Sequence, residues 1–343
     1  MRIGVLTGGG DAPGLNAAIR AVVLRATALG HEVHGIADGW AGLIDGRARP
    51  LSVRDVAHIL SEGGTILGTS RTDPRKDDAH RRACLEQLKA LRLDALVAIG
   101  GNDTLSVADW LHQQGIAVVG VPKTVDNDLA ETDYCIGFDT AVSVVTDALD
   151  RLRTTASAHH RVMVVEAMGR DAGWVAAYGG LAGAADLILV PEIPTSSAEV
   201  IGAVRRLKER GTDDIILVVA EAVEIAGLAA EATIDKDAFG HARLDQRAIG
   251  AVLARHVEER TGIEARVVVL GHLQRGGSPT AIDRIWATRF GTRAVDLVSA
   301  GRRGVLPVAR GGGLDVSTLS AAVATTRRLD PATVELVRRL AGT

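Results

Sequence analysis

Apolar positions along this chain fall into short, uninterrupted β-branched runs, separated by longer segments of helical period. The runs predict strands at Ile3–Leu6, Glu32–Ile36, Ala95–Ile99, Ala117–Val121, Val162–Glu166, Leu187–Val190, Ile215–Val219 and Val267–Leu270. The amphipathic or Ala/Leu-rich segments between them predict helices at Leu15–Leu29, Ala79–Leu91, Leu105–Gln114, Ala141–Thr155, Ala198–Glu209, Gln246–Thr261 and Ala281–Ser299. Strands apolar on both faces, alternating with helices, describe repeated βα units around mostly parallel sheets. No solenoid-scale repeat, low-complexity tract or long linker interrupts the pattern. A domain boundary therefore lies inside the α/β alternation.

Composition narrows the class. The chain has 343 residues, 47% of them hydrophobic, enough for two ordinary domains or one large unit and against global disorder. A formal net charge of −3 argues against a generic nucleic-acid or polyanion binder while allowing a local basic pocket. Cys84 and Cys135 fit neither a metal spacing nor a disulfide framework, which suggests a reducing compartment. The N-terminus is strand-like from the start and shows no leader pattern, and the longest apolar runs are too short for a bilayer. A soluble, cytoplasmic protein with no membrane or nucleic-acid partner is expected. Glycine is abundant, at 39 residues, and only five of the 39 basic residues are lysines: Lys76, Lys89, Lys123, Lys208 and Lys236.

Four polar or glycine-rich loops follow predicted strands, where doubly wound sheets bind ligands. Gly8–Gly14 joins the first strand to the first helix, and its adjacent glycines suit backbone N–H groups that approach a phosphate. It lacks the P-loop Lys-Ser/Thr and the spacing of a dinucleotide fingerprint; a tight βα turn is the bland alternative. Gly100–Thr104 repeats the glycine-then-polar pattern at a helix start, where Asp103 or Thr104 also suits a simple N-cap. Lys123–Asp128 sets a lysine and a threonine beside two carboxylates, groups that hold Mg²⁺ through water, take a hydroxyl proton or neutralise phosphate, or else form a solvated Asx-rich turn. Gly271–Pro279 places His272 and Arg275 among glycines, suited to an anionic sugar phosphate or to a structural turn. Taken together, the loops point to phosphoryl chemistry.

The wording of these loops resembles the 6-phosphofructokinase family, and within it the pyrophosphate-using branch. The matching segments are Gly4–Arg20, Gly63–Arg71, Ile99–Thr104, Pro122–Leu129, Thr132–Ala141, Arg161–Trp174, Val190–Glu192 and Val269–Arg284. The resemblance implies two doubly wound α/β domains with the active site in the cleft between them. The donor-binding domain would take 1–138 plus 252–303, the sugar-phosphate domain 139–251 plus 304–325, and a helical tail 326–343.

The resemblance also implies a reaction and its parts: Mg²⁺-dependent, reversible transfer of a phosphoryl group from pyrophosphate to the 1-hydroxyl of fructose 6-phosphate. Asp126 would be the general base. Thr124, Arg170 and Lys123 would complete the catalytic set. Gly10, Arg71, Gly101, Asn102, Asp103, Thr104 and Lys123 would bind the donor. Thr124, Asp126, Asp128, Arg161, Met168, Gly169, Arg170, Glu221, Arg266, His272 and Arg275 would meet the sugar phosphate. Asn102, Asp103 and Asp128 would hold Mg²⁺. Family members place the arginines matching Arg161 and Arg266 in a neighbouring subunit's site, which implies a homo-oligomer, most often a tetramer. ATP-using relatives usually carry glycine where this chain has Asp103, and often where it has Lys123, so these two residues favour pyrophosphate and leave ATP as the alternative donor. The family usually has an acid at Asn102. That departure leaves open that Asp103 or Asp128 takes over the metal role, that sedoheptulose 7-phosphate is the substrate, or that the chain has a weakly active binding or regulatory role.

Overall fold

The computed structural model of the chain describes residues 1–228, 239 and 247–341. Its strands are β1 Arg2–Thr7, β2 Glu32–Ile36, β3 Ala48–Leu51, β4 Ala95–Gly100, β5 Val118–Pro122, β6 Val162–Ala167, β7 Leu187–Leu189, β8 Thr195–Ser196, β9 Ile215–Ala220, β10 Ile225–Ala226, β11 Ala265–Val269, β12 Val305–Arg310 and β13 Gly313–Thr318. The α-helices are α1 Leu15–Ala28, α2 Gly39–Ile44, α3 Asp78–Ala90, α4 Asn102–Gln113, α5 Phe138–His159, α6 Trp174–Ala182, α7 Ser197–Glu209, α8 Ile249–Thr261, α9 Ala281–Ser299, α10 Leu319–Ala322 and α11 Pro331–Leu340. The predicted start of α8, Gln246, and the last two residues of the predicted tail lie outside the described residues. No described helix is long and apolar enough to cross a membrane.

The chain divides into two units, residues 1–140 with 275–326 and residues 141–274 with 327–343. The first holds a seven-stranded sheet ordered β13-β12-β5-β4-β1-β2-β3. Its five central strands are parallel, and β3 and β13 close the two edges antiparallel. One face is covered by α1 and α9, whose buried Ile19, Val22, Phe290 and Val295 pack with Ile3, Val5, Val97 and Val119. The two helices touch closely at Gly291, where a Cβ would come 2.6 Å from the Ala18 carbonyl oxygen. On the other face Leu105 of α4 and Leu319 of α10 close over Gly120 of β5. Strand order reverses between β1 and β4, so the loops leaving these two strands flank a topological switch point.

The second unit is built on a parallel sheet ordered β11-β6-β9-β7. Its core joins Val164, Leu189 and Leu217 to Val200 and Val204 of α7 and Leu253 and Val257 of α8. On the opposite face α6 lies against Ile188 at Gly180 and against α5 at Gly179.

Two of the expected domain boundaries are corrected. The segment 304–325 does not belong to the second domain, because β12 and β13 extend the first sheet and Val305 and Ala309 lie in its core. The stretch from 252 to 274 does not belong to the first, because α8 buries its apolar face in the second core and β11 pairs with β6. Strands β3, β12 and β13, and the two-residue strands β8 and β10, are absent from the predicted set. β3 contains Pro50, and β13 is mostly exposed, so neither carries the continuous apolar run of a central strand.

Candidate active site

Three loops of the first unit are stitched together by their backbones. The Gly8 N–H donates to the Ile99 carbonyl at 3.0 Å, and the Lys123 N–H donates to the Gly100 carbonyl at 3.1 Å. The Gly9 N–H donates to the Ser70 carbonyl at 3.1 Å, and the Thr69 hydroxyl returns to the Gly9 carbonyl at 2.6 Å, which brings the exposed Arg71 to the edge of the same loop. The glycines let these segments meet closely. A Cβ on Gly8 would lie 2.6 Å from the Thr104 hydroxyl, and one on Gly10 would lie 2.5 Å from the Arg275 guanidinium. Gly9 adopts a φ of +78°, which glycine takes without steric cost.

Lys123 is the cation at the centre of this arrangement, 3% exposed. Its ammonium donates to the Gly8 carbonyl at 3.1 Å and to the Gly10 carbonyl. Burial, reinforced by the Arg275 charge, pushes its pKa down to about 7. The Arg275 guanidinium donates to the Asp11 carbonyl at 3.1 Å, while its Nε is buried without a hydrogen-bond partner. One residue past Lys123, the Thr124 hydroxyl lies 3.3 Å from Asp126 Oδ2 and accepts from the Asp126 N–H at 3.1 Å. Asp126 is 6% exposed, and its other oxygen, Oδ1, is buried with no hydrogen-bond partner. Asn127, at a φ of +51°, braces the loop by donating to Asp133 O and accepting from the Cys135 N–H. Asp128 is buried beside it.

Gly101 packs against Lys123 and Thr124 and precedes α4, so Asn102 and Asp103 sit in that helix's first turn. Here the helix dipole favours negative charge. Asn102 Oδ1 is buried and unpartnered, and Thr104 is 1% exposed against Gly8 and Gly100. Among the described residues, no group of three or more His, Cys, Asp or Glu side chains forms a metal cluster.

In the second unit the loop after β6 carries Met168, Gly169 and Arg170. Arg170 has a φ of +52°, and its N–H donates to Glu221 Oε1 at 3.0 Å; the Gly169 N–H donates to the same oxygen at 3.2 Å. Glu221 thus shapes the Arg170 loop through its backbone. The Met168 N–H donates to Oε1 of the buried Gln274 at 3.3 Å, while His272 stands exposed on the same short turn. Arg161 and Arg266 share one acid. Glu264 Oε1 lies 3.6 Å from Arg161 and 2.7 Å from Arg266, and Arg266 also pairs with Glu258 at 3.4 Å.

Sequence reasoning overlooks two acids with structural parts here, although both lie within the matching segments. Asp283 is fully buried and accepts from the Tyr134 hydroxyl, the Gly137 N–H, and both the N–H and hydroxyl of Thr140, at 2.5 to 2.9 Å. Burial pushes its carboxyl pKa up against those hydrogen bonds. Glu192 accepts from the Gly173 N–H at 3.0 Å. A buried Asp in an amphipathic helix and an acid after a Val-Pro pair are visible as anomalies. What they hold is not, because their partners are remote in sequence.

A family profile described as Phosphofructokinase matches residues 2–298. The chain belongs to the phosphofructokinase family. It is 50% identical over 340 residues to a protein of Dictyoglomus thermophilum named pyrophosphate–fructose 6-phosphate 1-phosphotransferase, covering 98% of each chain. It is 53% identical over 332 residues to a protein of the same name from Amycolatopsis methanolica, covering 96% of this chain and 97% of that one. A Streptomyces coelicolor relative named ATP-dependent 6-phosphofructokinase 2 is 48% identical over 332 residues, with 94% and 95% covered. Among solved structures, the phosphofructokinase of Saccharomyces cerevisiae superposes with a TM-score of 0.84 at 29% identity; the match covers 94% of this chain and 45% of the yeast chain. A pyrophosphate-dependent phosphofructokinase from Marinobacter aquaeolei shares the fold, with a TM-score of 0.81 at 21% identity, covering 100% of this chain and 92% of that one. Phosphofructokinase membership accounts for why the glycine-rich loops of the first unit and the arginine-bearing loops of the second occur in one chain.

Proposed function

We propose that this phosphofructokinase catalyses reversible transfer of a phosphoryl group from pyrophosphate to the 1-hydroxyl of fructose 6-phosphate. The observation that carries the donor is the pair Asp103 and Lys123. Asp103 fills, with a negative side chain in the first turn of α4, a position where a nucleotide's further phosphate would need space. Lys123 lies buried against the Gly8–Gly10 loop, a compact cation suited to two phosphates. The names of two relatives at 50% and 53% identity support the same donor.

In this reading Asp126 takes the proton of the sugar hydroxyl through Oδ1, the oxygen left without a partner. Thr124, hydrogen-bonded to the same carboxylate, and Arg170 stabilise charge on the transferring group. Gly10, Gly101, Thr104 and Arg71 cradle the donor through backbone N–H groups and charge. Met168, Gly169, Glu221, His272 and Arg275, with Arg161 and Arg266, bind the sugar phosphate. Arg161 and Arg266 serve a neighbouring subunit's site, so the working form is a homo-oligomer, a tetramer in this reading.

The residues fit Mg²⁺. Such an ion needs only one or two protein carboxylates besides phosphate oxygens and water. Asn102 Oδ1 and Asp126 Oδ1 are both buried acceptors without hydrogen-bond partners, and Asp128 is buried on the same loop as Asp126. Asn102, Asp103 and Asp128 would hold the ion, largely through water. When bound, Mg²⁺ neutralises the phosphate oxygens of the donor. Asn102 keeps an oxygen acceptor where a carboxylate would add a full charge.

The test is turnover of the purified protein with fructose 6-phosphate and Mg²⁺, given pyrophosphate or ATP in turn. Pyrophosphate supports turnover in the expected outcome. Turnover with ATP and none with pyrophosphate overturns the donor. The Streptomyces relative named for ATP makes that arm necessary.

A further inference from the structure

The C-terminal tail contacts the segment that follows Arg170. After Arg170 the chain turns, with the Ala172 N–H donating to Gly169 O at 3.1 Å, and α6 begins at Trp174. The Gly173 N–H, just before the helix, donates to Glu192 Oε1 at 3.0 Å and lies 3.2 Å from Oε2. Glu192 Oε1 also accepts from the Leu329 N–H of the tail at 3.1 Å. One residue on, the buried Trp174 indole N–H donates to the Arg327 carbonyl at 3.1 Å, and the Arg327 guanidinium lies 3.9 Å over the indole ring. Glycine at 173 allows this fit, since a Cβ there would come 2.5 Å from Val190 Cβ and 2.7 Å from Glu192 Oε2. The Arg170 loop is therefore held at two points. Glu221 fixes Gly169 and Arg170, and Glu192 fixes Gly173 and ties it to the tail.

We propose that Glu192, held together with the Arg327–Leu329 strap, is a positioning residue for Arg170. The inference rests on the reading of Arg170 as a group that acts on the transferring phosphoryl. A single carboxylate oxygen serves both N–H donors, so an amide that keeps an oxygen there retains the tether, whereas a methyl group loses it. If the tether is lost, the loop stays anchored at Glu221 but its other end is free to shift. A displacement of about 1 Å at a reacting group costs on the order of a hundredfold in rate. The tail backbone thereby completes the support of a loop nearly 160 residues earlier in the sequence, by the separation of Arg170 and Leu329.

The full-length variants Glu192→Ala and Glu192→Gln test this. Glu192→Ala is expected to lower kcat by about 10- to 100-fold with the KM for pyrophosphate unchanged. Glu192→Gln is expected to stay within about threefold of the wild type. Amide hydrogen exchange on the ligand-free protein gives a readout independent of turnover. Peptides spanning 168–178 should exchange about tenfold faster in Glu192→Ala and near the wild-type rate in Glu192→Gln, while peptides from the first unit are unchanged. Should Glu192→Ala fail to fold, Trp174→Phe keeps the ring and removes the bond to Arg327 O, and is expected to accelerate exchange in the same peptides. A Glu192→Ala enzyme with wild-type kcat overturns the proposal, as does Glu192→Gln falling as far as Glu192→Ala. If the wild type shows no turnover with fructose 6-phosphate and pyrophosphate, the functional reading fails, while the exchange measurement still decides whether Glu192 tethers the loop.

Discussion

The two units hold their candidate residues in different ways. In the first, Lys123, Thr124, Asp126 and Asp128 are all buried, and their loops are joined by short-range backbone bonds at the carboxyl ends of β1, β4 and β5. In the second, Arg266 keeps 52% of its side chain exposed and His272 is exposed, and Arg161 and Arg266 are restrained by the surface acids Glu264 and Glu258. Buried groups on rigid loops are organised before any ligand arrives, so removing one damages both chemistry and packing. Arg266, half-exposed on the edge strand β11, costs little to keep and is sensitive to removal only where an anion meets it, whereas Arg161 is largely buried with its Nε unpartnered. The difference lies in how these side chains are held: by burial in the first unit, and partly by half-exposed ion pairs in the second.

The largest effect expected from breaking this comparison is at Asp126. Asp126→Ala should lower turnover by about 10²–10⁴-fold with fructose 6-phosphate binding retained, measured by steady-state kinetics beside direct sugar binding. Near-normal turnover would remove the base assignment. Arg266→Ala should act on the other side, raising the KM for fructose 6-phosphate by about 10- to 100-fold with a smaller effect on kcat, as expected for loss of a charge-assisted contact. Mixing and reassembling Arg266→Ala with Asp126→Ala chains should restore activity above either parent if Arg266 serves a neighbouring subunit. No restoration would place both residues in one chain's site.

A third prediction concerns stability. Asp283→Ala leaves buried donors from Tyr134, Gly137 and Thr140 unsatisfied and should cost about 3–5 kcal/mol in denaturant unfolding, against about 0–1 kcal/mol for Glu264→Ala at the second unit's surface. Equal costs would mean that the two units are not organised differently.

The smallest effect is the pH dependence of Lys123, whose burial brings its pKa down to about 7. Below that pH the ammonium is charged, and above it the charge that attracts phosphate is lost. The KM for pyrophosphate should rise by about threefold to tenfold between about pH 7 and 8.5, and Lys123→Met should flatten the profile. The sign for stability is opposite. Between about pH 7 and 10.4 the unfolded lysine keeps a proton that the folded one has released, so the wild type loses stability relative to Lys123→Met as pH falls through that window and gains it as pH rises.

Much of this was legible in the residues themselves. Central strands announce their burial through continuous apolar runs, as Ala95–Ile99 does. The candidate phosphate loops announce themselves through their glycines: Gly8 leaves no room for a Cβ against Thr104, and one on Gly10 would displace the Arg275 guanidinium. Edge strands β3 and β13 carry no such signal, since half of each faces solvent or lacks a partner. The assignment of 304–325 failed because β12 and β13 join the first sheet through pairing with β5, which is remote in sequence, and not through the segment's own pattern.

By itself the sequence determined the α/β class, the glycine-rich loops proposed to carry the chemistry and the family, since these depend on local period, on glycine and on residues close together in the chain. Tertiary structure alone decided that Lys123 is buried with its ammonium on the Gly8 and Gly10 carbonyls, that one carboxylate at Asp283 satisfies several donors, and that Glu192 joins the Arg170 loop to the tail. These contacts link residues more than a hundred positions apart, or fix a charge by burying it, and burial belongs to the packed molecule rather than to any segment of it.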